Sequence, residues 1–300
     1  MAALRARPEL LGLVSPRHRR WARLLASLNL DPDRLPSPLV PPGPRDFIVC
    51  GIPRSGTSLL CAALYQPPAC VTVMEPWDGM RLPPAELFAS LRSEVARGEL
   101  ARGRLDIDIL LDRGEVRWRP EAELSHPVQA AAGHLLGVKW TSFWRYLDML
   151  PETKFLVCVR DPAEVVASFA SMKGGLSRGL SYDIPFNRAM NAGLLAATDD
   201  PAVRRALLYE HIASHIVPHG GRPNVLLVRY ERWFQDRPGL MREIGAFLGA
   251  DLGAGPPVIR QPLHRSPDEA TARATAELCP SASALGYAVA AVDRSVGLGR

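Results

Sequence analysis

One stretch of the sequence has the residue types of a phosphate-binding loop: Gly51-Ile52-Pro53-Arg54-Ser55-Gly56-Thr57-Ser58. It lies between a strand-like apolar run and a helix-like run, and its glycines let backbone N–H groups turn toward one point. The N-terminus of the helix would add partial positive charge there. The spacing fits the nucleotide-binding frame Gly-x4-Gly-Lys-Ser/Thr, except that Thr57 occupies the lysine position. Because Arg54 can supply the missing cation, the stretch still predicts an anion site.

A second candidate for anion binding follows a later apolar run. Arg160-Asp161-Pro162 ends that run, and Ser168 comes eight residues after Arg160, about two turns into a predicted helix. A guanidinium offers a rigid fork of donors to a phosphate, and a hydroxyl adds one directed donor. A surface arginine or a helical serine alone would be ordinary. Together, and after a phosphate loop, they predict a second phosphate subsite.

These two motifs resemble those of sulfotransferases that use 3′-phosphoadenosine 5′-phosphosulfate (PAPS), with bacterial and carbohydrate-type members nearest in motif. The resemblance covers roughly residues 46 to 250 in the order of elements and is specific only at the two donor motifs. It implies that Arg54 contacts the bridging or sulfuryl oxygens and that Arg160 and Ser168 hold the 3′-phosphate. A later strand-end tyrosine would lie near the adenine. The residues implied in donor binding are Arg54, Ser55, Gly56, Thr57, Ser58, Arg160, Ser168 and Tyr230.

The sequence departs from this family at three places. Leu59 stands where cytosolic members often have a tryptophan that stacks on the adenine, and the late Arg-Lys-Gly motif is missing. Arg260 and Arg265 could compensate for that motif. The strand that often supplies a histidine base reads Lys139-Trp140-Thr141 here, so this base must come from elsewhere.

Glu75 is our candidate for that base. It ends the strand after the phosphate-loop helix, so its carboxylate should open at the C-terminal edge of the sheet, where open α/β folds bind ligands. Met74-Glu75-Pro76-Trp77 is also similar to a Glu-Pro segment of carbohydrate sulfotransferases whose glutamate is the proposed base. We expect Arg54 and Lys139 to stabilise the transferring group. The alternatives are a solvated strand-end carboxylate for Glu75 and a snorkelling lysine for Lys139; reserve bases are Asp78, His126 and His134.

The elements that must position these residues alternate between strand and helix. We predict strands at residues 47–50, 71–74, 135–140, 154–159 and 225–228, and helices at 58–64, after Pro162 and at about 237–248. Such alternation indicates an α/β fold: a P-loop-type parallel β-sheet with helices on both faces, in three α/β/α layers. Residues 1–45 are predicted to form a helix and a Pro-rich arm, and 46–300 the sulfotransferase domain, with a helical insertion, a lid or cap, at about 80–135.

The composition limits the classes of partner and cofactor that the protein could bind. The 36 basic and 31 acidic residues give a net charge of +5, too small and dispersed to indicate nucleic acid. The five cysteines show neither CxxC pairs nor interleaved histidines, so we expect no metal site and a reducing compartment.

We find no secretory signal and no apolar run of membrane-spanning length, and therefore expect a cytoplasmic protein. The acceptor, a small molecule or a carbohydrate, should contact residues 78–135 and 173–191.

Two other functions remain open from the sequence. A P-loop small-molecule kinase would bind Mg²⁺ and ATP, but Thr57 replaces the lysine and the fourth strand ends in Arg160 rather than in a clear metal-binding acid. A non-catalytic nucleotide-binding protein would keep the fold without turnover.

Overall fold

The computed structural model describes residues 39–100, 126–172, 174–182, 187–253 and 267–288, apart from the side chains of Trp77 and His126. Its strands are β1 (Asp46–Gly51), β2 (Cys70–Met74), β3 (Glu99–Leu100), β4 (His126–Pro127), β5 (Leu135–Lys139), β6 (Lys154–Val159) and β7 (Val225–Arg229). Five of them form one sheet in the order β2-β5-β1-β6-β7, in which all neighbours are parallel. Strands β3 and β4 pair separately as a short antiparallel ribbon.

Nine α-helices are described: α1 (Thr57–Ala63), α2 (Pro84–Ala96), α3 (Pro162–Ala170), α4 (Arg188–Ala197), α5 (Pro201–Ile216), α6 (Arg232–Gln235), α7 (Arg237–Leu248), α8 (Glu269–Leu278) and α9 (Ser281–Ala284). Short 3₁₀ helices lie at Trp77–Met80, Thr141–Tyr146, Leu176–Arg178 and Val217–His219. Among the described helices, none is both long and apolar enough to cross a membrane.

The sheet is covered on both faces. Ile48 and Cys50 of the fully buried β1 belong to one core cluster, together with residues of α2, α3, α5 and α8. Phe47 and Val49 belong to a second cluster with residues of α1, α6 and α7. A strand buried on both faces has no polar side to show, which explains the unbroken apolar run of β1. The predicted three-layer α/β fold is therefore confirmed.

The predicted elements are present, with ends shifted by a residue or two. The region predicted as a helical insertion contains α2, whose apolar face, with Leu87 and Leu91, is buried in the first core cluster. This helix is therefore part of a layer of the domain rather than a lid. The remainder of the insertion, residues 101–125, and the predicted N-terminal helix lie outside the described residues.

Parallel pairing brings the C-terminal ends of all five strands to one edge of the sheet. The phosphate loop follows β1, Glu75 follows β2, Lys139 ends β5, Arg160 follows β6 and Tyr230 follows β7. Ligands of open α/β sheets bind at this edge. The topology thus collects the predicted site residues from five different strand ends.

Candidate active site

The phosphate loop is a tight turn whose two glycines are required. Gly51 has φ +134° and Gly56 has φ +91°, backbone conformations that side chains rarely adopt. A Cβ on Gly51 would lie 2.2 Å from the Cys158 carbonyl oxygen, and one on Gly56 would lie 2.5 Å from the Tyr230 ring. Gly56 is also the N-cap residue of α1 and brings no capping side chain. The first N–H groups of α1 therefore need another acceptor, as in an anion site.

The Ser55 side chain fixes the loop to the sheet. Its buried hydroxyl lies 2.5 Å from the Ile52 carbonyl oxygen and 2.8 Å from that of Cys158. Its N–H donates to the Ile52 carbonyl oxygen as well, at 3.1 Å. A hydroxyl has only one hydrogen to donate, so this one anchors the loop within itself and to β6. That Ser55 takes part in binding the donor stays a prediction.

The two donor motifs meet in space although more than 100 residues separate them. The Arg54 Nε donates to Ser168 Oγ at 3.1 Å, and the Arg160 Nη1 donates to the Arg54 carbonyl oxygen at 3.4 Å. Asp161 makes this possible, because its side chain caps α3 by accepting from the Glu164 N–H at 3.0 Å. The helix therefore starts directly after Arg160 and brings Ser168 beside the loop.

Arg160 is held by a residue that we did not identify from the sequence, Glu164. The Nε and Nη2 of Arg160 donate to Glu164 Oε2 at 2.9 and 2.5 Å, and the guanidinium carbon lies 4.3 Å from the centre of the Tyr230 ring. A guanidinium has five N–H donors, so this pairing fixes its direction and leaves donors for a phosphate. The i,i+4 spacing of Arg160 and Glu164 was the available sequence signal.

Tyr230, which follows β7, packs against the phosphate loop. Its ring packs on Gly56, and Phe234 stands edge-on to it at 5.4 Å. Burial raises the pKa of Tyr230, and the nearby Arg160 and Arg54 oppose this rise. The neighbouring Glu231, whose role we did not predict, accepts from the Asp161 N–H at 3.1 Å and thereby ties β7 to β6. Contact of Tyr230 with an adenine stays a prediction.

Glu75 and Lys139 form a buried ion pair. Their residues are 7% and 3% exposed, and the Lys139 Nζ donates to Glu75 Oε1. Strands β2 and β5 are neighbours with Met74 opposite Lys139, and the Glu75 N–H donates to the Lys139 carbonyl oxygen at 2.8 Å. The Trp140 indole donates to the Pro76 carbonyl oxygen at 3.0 Å and fixes the turn after Glu75. The two residues predicted to act in catalysis are thus in direct contact.

The backbone at the site carries strain. Within the described part of the chain, only two non-glycine residues have positive φ: Arg54, at 70°, and Glu75, at 51°. Such conformations cost about 1–3 kcal/mol each and cluster at functional sites. Both residues were predicted from the sequence as catalytic, and the strain is an independent feature that distinguishes them.

Comparison with known proteins identifies the family of this chain. Residues 45–253, more than half of the 300, match the model of the Sulfotransferase family. The chain belongs to the sulfotransferase family. The Nodulation protein NoeE of Sinorhizobium fredii is 29% identical to this sulfotransferase over 220 residues, which are 71% of this chain and 52% of NoeE. The chain thus spans about half the length of that curated relative.

Solved sulfotransferases are more distant in sequence. A sulfotransferase from Alicyclobacillus acidocaldarius is 17% identical, with a TM-score of 0.42 over 82% of this chain and 94% of its own. Mouse SULT7A1, solved in complex with PAP, is 18% identical, with a TM-score of 0.34 over 84% of this chain and 67% of its own.

The loop predicted to face the acceptor lies beside the Glu75–Lys139 pair. Burial raises the pKa of Tyr182 above its usual range; the Glu75 carboxylate adds to the rise and Arg54 opposes it. The fully buried Asn187, another residue that we did not predict, has its Nδ2 3.1 Å from the Tyr182 carbonyl oxygen and 3.0 Å from Ser181 Oγ. Asn187 therefore fixes the backbone that carries Tyr182 toward Glu75 and Arg54. Residues 183–186 of this loop lie outside the described residues.

The reserve bases are less well placed. Asp78 pairs with Arg81 at 2.5 Å. His134 precedes β5, and its Nδ1 donates to the Ala131 carbonyl oxygen at 3.0 Å, whereas the site lies at the other end of the strand, about 16 Å away. His134 is therefore wrong as a base. The side chain of His126, and Arg260 and Arg265, lie outside what the structure describes.

Proposed function

We propose that this sulfotransferase transfers a sulfuryl group from PAPS to a hydroxyl of a small-molecule or carbohydrate acceptor. The observation that carries the proposal is the meeting of the two donor motifs, in which Arg54 contacts both Ser168 and Arg160. PAPS carries its phosphates on the 3′ and 5′ positions of one ribose, so it needs two adjacent cationic subsites, one at each motif. A 5′-triphosphate would need only the first of them.

The residues present fit such a donor. The N–H groups at the start of α1, around Gly56, Thr57 and Ser58, would hold the 5′-phosphate, in a cradle that a Cβ on Gly56 would fill. Arg160 and Ser168 would hold the 3′-phosphate. Two guanidinium groups can offset the charge of these phosphates, so we expect donor binding to require no metal ion.

The catalytic step that we propose is a direct in-line transfer. The acceptor oxygen forms a bond to sulfur as the bond from sulfur to the phosphate oxygen breaks, and 3′-phosphoadenosine 5′-phosphate (PAP) leaves. Glu75 accepts the proton of the attacking hydroxyl. Arg54 and Lys139 stabilise the negative charge on the transferring group and on the leaving phosphate.

The donor is tested by titration calorimetry with PAP in EDTA, beside ATP with Mg²⁺. We expect metal-independent PAP binding that weakens about 30-fold or more in Arg160→Ala, because charged hydrogen bonds worth about 1.5–3 kcal/mol each are lost. The control is Arg232→Ala, which removes another arginine paired with a glutamate, Glu243 of α7. Binding of Mg-ATP alone would instead favour the kinase.

The base is tested with Glu75→Gln, a nearly isosteric change. We expect PAP affinity to stay within about threefold while transfer of label from PAPS to a panel of phenol and carbohydrate acceptors falls about 100-fold or more. Glu94→Gln, at a buried glutamate of α2, is the control. Unchanged transfer would remove Glu75 from the mechanism, and a wild-type protein that binds PAP but labels no acceptor would favour the non-catalytic alternative.

A further inference from the structure

A cluster of potential metal ligands lies outside the site described above. Asp148, His215 and His219 each offer one ligand atom, and the three atoms lie within 4.8 Å of one another. His215 is on the last turn of α5, and His219 is four residues later in the 3₁₀ helix that continues it. Asp148 lies in the connection that leads to β6. Two imidazoles four residues apart on one helical face are a frequent metal-binding arrangement.

The contacts within the cluster are close but do not satisfy its nitrogens. The Nε2 atoms of His215 and His219 lie 3.4 and 3.3 Å from the two carboxylate oxygens of Asp148. Among the described residues, the buried His215 Nε2 has no hydrogen-bond partner. A buried polar atom without a partner needs an explanation, and a bound ion is one of those expected. The His219 ring is only 2% exposed and directs its Nε2 toward Asp148.

The cluster is distinct from the donor site because it lies at the other edge of the sheet. Asp148 precedes β6 and His219 precedes β7, whereas Arg160 and Tyr230 follow the same two strands. A strand of six residues such as β6 spans about 20 Å. A ligand bound at the cluster would therefore not touch the reacting groups.

We propose that Asp148, His215 and His219 bind one divalent transition-metal ion of the zinc type. Imidazole nitrogens and a carboxylate suit Zn²⁺, whereas Ca²⁺ and Mg²⁺ prefer oxygen ligands throughout. The Asp148 side chain is 54% exposed, which leaves room for water at the remaining coordination position. The ion would join the connection before β6 to the end of α5, so its role is to stabilise the fold. The expectation of no metal site rested on the spacing of the cysteines, to which this set of ligands does not belong.

Burial of the two histidines favours binding of the ion, whereas a nearby arginine opposes it. Burial lowers the pKa of both His215 and His219, with Asp148 opposing, and a neutral imidazole is the form that binds metal. Against the ion, the Arg222 Nη2 lies 3.7 Å from Asp148 Oδ1 and competes for the carboxylate.

The test is a titration of the tag-free, EDTA-treated full chain with Co²⁺, followed by its visible absorption and by competition with Zn²⁺. We expect one equivalent to bind, and a saturating excess of Zn²⁺ to raise Tm by about 5 °C. Asp148→Asn and His215→Gln should weaken binding about tenfold or more. Because Asp148 is half exposed, its variant should fold. Arg222→Gln should tighten binding, since it removes the competing cation.

The matched control is His211→Gln, one turn earlier on α5, where the ring packs edge-on against Trp144 at 6.0 Å and lies outside the cluster. This variant should bind cobalt as the wild type does. The proposal fails if the wild type binds no cobalt, or if Asp148→Asn and His215→Gln bind it as tightly as His211→Gln. Weaker binding in Arg222→Gln would also contradict the geometry, because the guanidinium would then support the ion.

Discussion

At Arg54 and Glu75 the backbone takes a conformation that glycine would adopt at lower cost, yet the chain keeps two charged side chains there. The surroundings hold both in place: Arg54 donates to Ser168, and Glu75 contacts Lys139 through both its N–H and its carboxylate. Strain that is retained at two charged residues fits selection for function rather than for stability. At the scale of single residues, substitutions can therefore measure backbone strain and donor binding separately.

Replacing Arg54 by glycine or by alanine should separate these effects. Both variants lose the guanidinium, so both should bind PAP about tenfold or more weakly. Only glycine relieves the positive φ, so Arg54→Gly should be about 1 kcal/mol more stable than Arg54→Ala. Urea unfolding of the two variants measures this difference. An alanine variant as stable as the glycine variant would show that the loop is unstrained at this position.

At the scale of elements, the sequence predicted the positions of strands and helices better than it predicted the contacts between them. The positions of strands and helices could be predicted from apolar runs and from the Gly and Pro residues that end them. A strand such as β6, buried on both faces, must be apolar throughout, and Asp161-Pro162 favours the start of a helix. The contacts between elements did not follow. Glu164 holds Arg160, and Asn187 holds the Tyr182 backbone, through three-dimensional proximity that periodicity does not encode. The layer position of α2 was missed because its charged face dominated the pattern.

The packing of Tyr230 on the phosphate loop predicts the effect of Gly56→Ala. The new Cβ would meet the Tyr230 ring at 2.5 Å, and the left-handed φ adds strain, so the free energy of unfolding should fall by about 1–3 kcal/mol. PAP binding should fall with it, because the loop and the Arg160 subsite share this ring. Chemical denaturation and PAP calorimetry measure the two effects.

The matched control is Gly193→Ala on α4. Outside the backbone of α4 itself, no described atom lies within 4 Å of the Cβ position there. Helical alanine is favoured over glycine by roughly 0.5–1 kcal/mol, so this variant should be slightly more stable than the wild type. If Gly56→Ala were as stable as Gly193→Ala, the close approach of Tyr230 to the loop would be wrong.

At the scale of the whole molecule, the sheet separates two kinds of region. Its C-terminal edge gathers charged and strained residues, whereas its two faces hold apolar clusters that enclose the cysteines Cys50, Cys61, Cys70 and Cys158. Cys279, which directly follows α8, is buried in the first core cluster. Burial raises the pKa of all five thiols, to about 12 for Cys61, Cys70 and Cys279. The same packing that supports the site therefore makes the fold sensitive to alkali.

The free energy of unfolding should fall steeply as the pH rises above about 9. In the unfolded chain thiols lose their protons near pH 8.5, whereas in the folded chain they keep them up to the raised pKa. The folded state then binds more protons, so each thiol lowers the stability by about 1.4 kcal/mol per pH unit in this window. Cys279→Ala should be modestly less stable than the wild type at pH 7.5. Between pH 9 and 9.5 its free energy of unfolding should fall less steeply with pH than that of the wild type, by the contribution of about one proton. Thr275→Ala, one turn earlier and equally buried, removes no titrating group and should keep the wild-type slope. Urea unfolding at a series of pH values decides the matter, since parallel curves for the wild type and Cys279→Ala would mean that this thiol already ionises in the folded protein.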